Sequence, residues 1–170
     1  MSFPDNVGQI PVYYNHYNTG RPQGAPDAQV RYVSQYLDSP NEPLFPFGYG
    51  LSYTSFSYRE LNLSTQELRA DQTLTISVKV KNTGEQTGME TVQLYVRDLV
   101  GEVVRPVKEL KDFKKIELQA GEEKEITFTL TEEQLRYYHA DMSYSSDPGE
   151  FELAVGTNSQ KTICQSFILV

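Results

Sequence analysis

Leu74-Thr75-Ile76-Ser77-Val78-Lys79-Val80-Lys81-Asn82-Thr83-Gly84 decides the fold. Leu74, Ile76, Val78 and Val80 alternate with Thr75, Ser77, Lys79 and Lys81. A period of two puts the apolar set on one side of a pleated strand and the polar set on the other. Asn82-Thr83-Gly84 then reads as a turn, because Asn and Gly tolerate backbone conformations that β-branched residues avoid. The stretch is a half-buried strand ending in a turn. It calls for a partner strand and for an apolar layer opposite.

Both follow downstream. Val92, Leu94 and Val96 alternate with Gln93, Tyr95 and Arg97, and Ile126, Phe128 and Leu130 alternate with Glu125, Thr127 and Thr129. Phe151, Leu153 and Val155 repeat the pattern, and Ile163 to Val170 supplies a closing strand. Upstream, Phe56 and Tyr58 pass into Leu61 and Leu63 with a change of parity that predicts a bulge, as does the parity break within Leu110 to Leu118. Thr131 and Gln134 have capping-box spacing, so one helical turn is expected there, and Leu135 to Tyr138 reads as a short strand. Asp147-Pro148-Gly149 is a turn. About seven short strands separated by turns, with no long amphipathic helix between them, predict an all-β antiparallel sandwich of the immunoglobulin or fibronectin type III class.

The first fifty residues are different. Pro4, Gly8, Pro11, Gly20, Pro22, Gly24 and Pro26 break up regular structure. One strand is expected from Gln9 to Tyr14, with Ile10 and Val12 on one face. Val30 to Leu37 fits both extended and helical spacing and is read as extended. Phe45-Pro46-Phe47-Gly48-Tyr49-Gly50-Leu51-Ser52-Tyr53-Thr54 reads as an aromatic hinge between this irregular region and the strands.

Composition excludes several functions. The 170-residue chain has a net charge of −8, and the basic cluster Lys108 to Lys115 is interrupted by acidic and apolar residues, so it reads as a solvated strand face. No basic stripe suits nucleic acid. No apolar run approaches the roughly 20 residues that span a bilayer, and residues 1–5 do not form a signal peptide. The single Cys164, read as a small buried or half-buried hydrophobe, permits no internal disulfide and favours a reducing compartment such as the cytoplasm. Localisation stays open, since a signal peptide of a longer parent would lie outside this chain.

Signals for chemistry are sparse. Gly48-Tyr49-Gly50-Leu51-Ser52-Tyr53 lacks the third glycine and the following helix of a dinucleotide fingerprint. No P-loop, CxxC or HExxH occurs, the two isolated histidines do not make a metal site, and no cofactor is expected. His139 reads as structural. The one stretch suited to a ligand is Val12 to Pro22, where Tyr14, His16 and Arg21 are the candidate substrate-binding residues. Tyrosine rings stack on sugar faces, and His and Arg hydrogen-bond hydroxyl groups. An irregular loop packed against a neighbouring domain would look the same.

Gly8-Gln9-Ile10-Pro11-Val12-Tyr13-Tyr14-Asn15-His16 with Thr19-Gly20-Arg21-Pro22 resembles the closing part of the second domain of glycoside hydrolase family 3 β-glucosidases. Tyr36-Leu37-Asp38 and Pro43 to Thr54 resemble the family's junction into its fibronectin type III-like domain. Val78 to Gly84, Gly88, Val92 to Val96, Leu110 to Phe113 and Gly149 to Phe151 are similar to that domain's strands. The resemblance implies retaining β-glycosidases, whose aspartate nucleophile lies in a (β/α)8 barrel and whose acid/base glutamate lies in an α/β sandwich domain. Neither can be placed here. The nucleophile motif contains Trp, which this chain lacks, and the family's Lys-His pair is absent, since His16 follows Asn15 and His139 follows Tyr138.

The resemblance therefore implies a C-terminal portion starting at a truncation point. Residues 1–50 would be the remnant of the preceding α/β sandwich domain with its junction, and residues 51–170 the fibronectin type III-like domain. Its partners would be the catalytic domains of the parent enzyme and, through them, a β-glucoside or oligosaccharide. Nucleic acid and membrane are not expected. The chain alone is expected to be inactive. The alternative is a stand-alone carbohydrate-binding or interaction module.

Overall fold

A computed structural model describes residues 1–25 and 32–170. Seven strands of eight residues or more form a sandwich: β1 (Phe56–Leu63), β3 (Thr73–Asn82), β4 (Gly88–Asp98), β5 (Glu109–Leu118), β6 (Glu123–Thr131), β9 (Gly149–Gly156) and β10 (Thr162–Leu169). Three two-residue strands complete the set: β2 (Glu67–Leu68), β7 (Tyr137–Tyr138) and β8 (Tyr144–Ser145). One sheet has the order β1-β3-β6, the other β2-β10-β9-β4-β5, and β7 and β8 pair as a small hairpin. All pairings are antiparallel except β2 on β10.

The core forms where the alternation predicts. Leu74, Ile76, Val78 and Val80 of β3 and Phe128 and Leu130 of β6 face Val92 and Leu94 of β4 and Phe151, Leu153 and Val155 of β9, all buried. Each such side chain contributes about 1.5–3 kcal/mol through burial. Both predicted bulges are present. The β1–β3 register shifts between Arg59 and Asn62, where Glu60 has a φ of 54°, and the β4–β5 register shifts where Leu94 pairs with Asp112 but Tyr95 with Leu110. Glu132–Leu135 form the expected single turn of 3-10 helix, with Thr131 N–H donating to Gln134 Oε1 at 2.9 Å.

Four expectations are corrected. Gln9 to Tyr14 is not a strand. Pro11 has no N–H to offer a ladder, and the segment is held by side chains instead. Gln9 is buried, its amide donating to Pro40 O (2.9 Å) and Glu42 O (2.7 Å). Residues 32–37 carry one isolated bridge, Ser34 to Pro22, rather than a strand, while Val30 and Arg31 lie outside the described residues. Cys164 is exposed, because it has the opposite parity to the buried Phe167 and Leu169 of β10. Lys108 is not on a solvated strand face. It precedes β5, half-buried, and its ammonium donates to Ser159 O at 2.7 Å.

Parity alone misleads on the outer face of the five-stranded sheet. By parity Gln93 and Tyr95 point away from the core, yet both are buried. The irregular N-terminal region covers them. Tyr14 stacks on Phe47 (ring centroids 4.2 Å apart) and meets Tyr95 edge-on at 5.9 Å. Gln93 donates to Gly48 O and Thr157 O, and accepts from the Tyr95 hydroxyl at 2.5 Å.

Candidate functional site

The covering segment and the sandwich enclose an open concavity of about 1150 Å³. Tyr13, Tyr14, His16 and Asn41 line it from the segment, and Lys108 and Ser159 from the sandwich. Its position follows from local pairing. His16 O accepts from Val107 N–H at 2.9 Å, and Tyr17 bridges to Pro106, which pins the segment to the loop joining β4 and β5.

The structure brings Tyr14 and His16 to this concavity and leaves Arg21 off its lining. Tyr14 is committed to packing: its ring is taken by Phe47 and Tyr95, and its hydroxyl accepts from Leu110 N–H at 3.3 Å. His16 is exposed, with Nδ1 2.9 Å from Tyr17 O. Arg21 reaches the Tyr32 ring at 5.8 Å, and its carbonyl accepts from Ser34 N–H at 2.8 Å. Lys108 belongs to the basic cluster of the sequence rather than to its candidate binding residues. Burial pushes its ammonium pKa down, a shift that no sequence pattern reveals.

Among the described residues lining the concavity, Glu42 is the one carboxylic side chain. Glycoside hydrolysis uses two facing carboxyl groups. The concavity can position a ligand through rings, a lysine and backbone groups, and its described lining does not assemble an acid/base pair.

A second polar cluster lies outside the concavity. His139 Nδ1 stands 2.6 Å from Glu102 Oε2, and Tyr137, on which His139 stacks at 4.4 Å, donates its hydroxyl to Asp147. Burial and that bond push the Tyr137 pKa up to about 12. Asp98, on the edge of the cluster, has its pKa raised by burial. No local pattern marks the grouping beyond the Asp147-Pro148-Gly149 turn.

Comparison with known proteins decides what this architecture is. Residues 90–159 match the fibronectin type III-like domain model. The whole chain is 44% identical over 170 residues to a periplasmic β-glucosidase of Salmonella typhimurium, covering 22% of that protein. The chain is a fibronectin type III-like portion of glycoside hydrolase family 3.

This family 3 portion is also 43% identical over 160 residues to a β-xylosidase of Formosa agariphila, covering 94% of the chain and 21% of the relative. Among solved structures it superposes on the β-glucosidase from Listeria innocua in complex with glucose, with a TM-score of 0.91 and 46% identity. That match covers 99% of the chain and 23% of the solved chain. The chain thus spans about a fifth of the length of the relatives it matches.

Proposed function

We propose that this chain is the non-catalytic C-terminal portion of a retaining β-glucosidase that removes terminal β-glycosyl residues, and that it braces the parent's catalytic domains. In this reading residues 1–50 close the preceding α/β sandwich domain and residues 51–170 are the fibronectin type III-like domain. The carrying observation is the distribution of exposed apolar side chains. Phe3, Ile10, Tyr13, Tyr17, Leu37, Leu44, Leu51 and Tyr53 are all exposed, and among the described residues positions 1–53 carry more such side chains than those that follow. The same segment is fixed on its inner side by Tyr14, Phe47 and Gly48. A segment held rigidly on one face and apolar on the other suits an interface with further protein.

The near-equal similarity to a β-glucosidase and a β-xylosidase supports a role separate from sugar selection. Tyr14, His16 and Arg21 would then border the substrate entrance only in company with the catalytic domains. Two measurements test the reading. The purified chain should not turn over p-nitrophenyl β-glucoside. Added to a family 3 β-glucosidase lacking its matching portion, it should raise that enzyme's melting temperature and activity. Saturable heat on titrating the chain alone with cello-oligosaccharides, together with no effect on the truncated enzyme, would establish a stand-alone carbohydrate-binding module instead.

A further inference from the structure

The loop of residues 99–108, between β4 and β5, is fastened at two points. Near its end Pro106 bridges to Tyr17 and Val107 N–H donates to His16 O, so that Val107 and Lys108 form one wall of the concavity. Near its start Glu102 meets the β7–β8 hairpin. Its N–H lies 3.0 Å from the Tyr137 hydroxyl oxygen and 3.1 Å from Asp147 Oδ2, and its carboxylate meets His139 Nδ1 at 2.6 Å.

His139 belongs to the hairpin, and its surroundings are strongly biased toward negative charge. Its Nε2 lies 3.3 Å from Ser145 O, 3.0 Å from Ser145 Oγ and 3.7 Å from Asp147 Oδ1. Asp141, in the turn between β7 and β8, also acts on it. Arg105 of the same loop lies 4.1 Å from the centroid of the Tyr137 ring on which His139 stacks, but it is itself paired with Glu109 at 2.9 Å and set beside Asp98. The imidazole is 5% exposed, whereas the Glu102 carboxylate is 56% exposed. One partner is fixed and the other can leave.

We propose that His139 is a proton-operated latch that fastens the 99–108 loop, and with it the Val107–Lys108 wall of the concavity, to the β7–β8 hairpin. Protonated, the ring donates from both nitrogens, Nδ1–H to the Glu102 carboxylate and Nε2–H to Ser145 O, with Asp147 alongside. Neutral, it carries one proton. With that proton on Nδ1, the ring still donates to Glu102 and the Ser145 hydroxyl donates to the bare Nε2, but the ion-pair part of the attraction to Glu102 and Asp147 is lost. The exposed Glu102 carboxylate then exchanges the ring for water. The Glu102 N–H remains tied to Tyr137 and Asp147, so the loop loosens about that pivot rather than detaching. The bond to Glu102 raises the His139 pKa above the ordinary imidazole value, so loosening occurs as pH rises.

The latch depends on contacts within this chain and stands apart from the glycosidase reading, so failure of either leaves the other intact. An NMR titration of the full chain from about pH 5 to about pH 9 tests it, with H16N leaving His139 as the one imidazole to follow. His139 should titrate above the ordinary imidazole value, and the amides of Gly101, Val103, Val107 and Tyr17 should move along the same curve. E102Q, at an exposed carboxylate, should lower the His139 midpoint and carry the loop amides down with it. Loop amides that stay flat while His139 titrates, or an E102Q protein whose His139 midpoint is unmoved, would overturn the proposal.

Discussion

A β-carbon on Gly48 would stand 2.0 Å from Oε1 of Gln93. Gly48 has a φ of +79°, and Gln93 cannot swing aside, because its amide already serves Gly48 O, Thr157 O and the Tyr95 hydroxyl. G48A should therefore cost about 2–4 kcal/mol, combining left-handed strain with lost hydrogen bonds. Q93A should cost about 1–3 kcal/mol. The double variant should be less unstable than the sum, since removing the glutamine side chain relieves the clash. Chemical denaturation of the three proteins checks this, and strict additivity would refute the contact.

Tyr14 is the anchor that lays the irregular segment over the sheet. Y14A should release residues before Phe45 to proteolysis while the sandwich stays intact, with a local loss of about 2–3 kcal/mol. Y14F keeps the ring against Phe47 and Tyr95 and gives up only the bond from Leu110 N–H, so it should behave much like the parent. Limited digestion followed by mass spectrometry distinguishes the two variants.

Asn82 is fully buried at the end of β3, where its amide donates to Gln86 O (2.7 Å) and Leu118 O (3.0 Å) and its oxygen accepts from Thr54 (2.5 Å) and Gly84 (3.1 Å). N82A leaves those partners unpaired and should cost about 2–4 kcal/mol. N82D keeps the shape but turns a carboxylate toward two carbonyl oxygens. It should be worse at neutral pH and recover partly in acid, which thermal melts at two pH values would show.

The hairpin cluster sets a pH window for stability. His139 has its folded pKa raised, first by its bond to Glu102. Its contribution is complete below the ordinary imidazole value of about 6.5 and is lost as pH climbs through the raised value. Asp147 has its folded pKa lowered, first by the Tyr137 hydroxyl. Its contribution is complete above the ordinary aspartate value of about 3.9 and is lost as pH falls through the lowered value. The melting temperature should peak between these limits. H139Q should flatten the alkaline limb and D147N the acid limb, each leaving the other in place.

The strands and both bulges were legible because alternation is local: each Val or Ile declares its side of the pleat through its immediate neighbours. The same rule misled at β4. Gln93 and Tyr95 occupy the outward parity that usually meets water, and only the arrival of Tyr14, Phe47 and Gly48 buries them. A tyrosine and a glutamine in place of charged residues were the available hint. The candidate site was less legible still. Tyr14 offers the same ring to a sugar or to Phe47, and the sequence does not say which is nearer.

By itself the sequence determined a seven-stranded antiparallel sandwich preceded by an irregular aromatic segment, since period-two patterning and turn residues act over a few positions. Tertiary structure alone decided that this segment clads the outer sheet face. It also decided that Lys108 and His16 border one concavity, and that Glu102 meets His139 across 37 residues of chain. Those contacts depend on chain closure over long separations, where many pairings satisfy the same local preferences and packing selects among them.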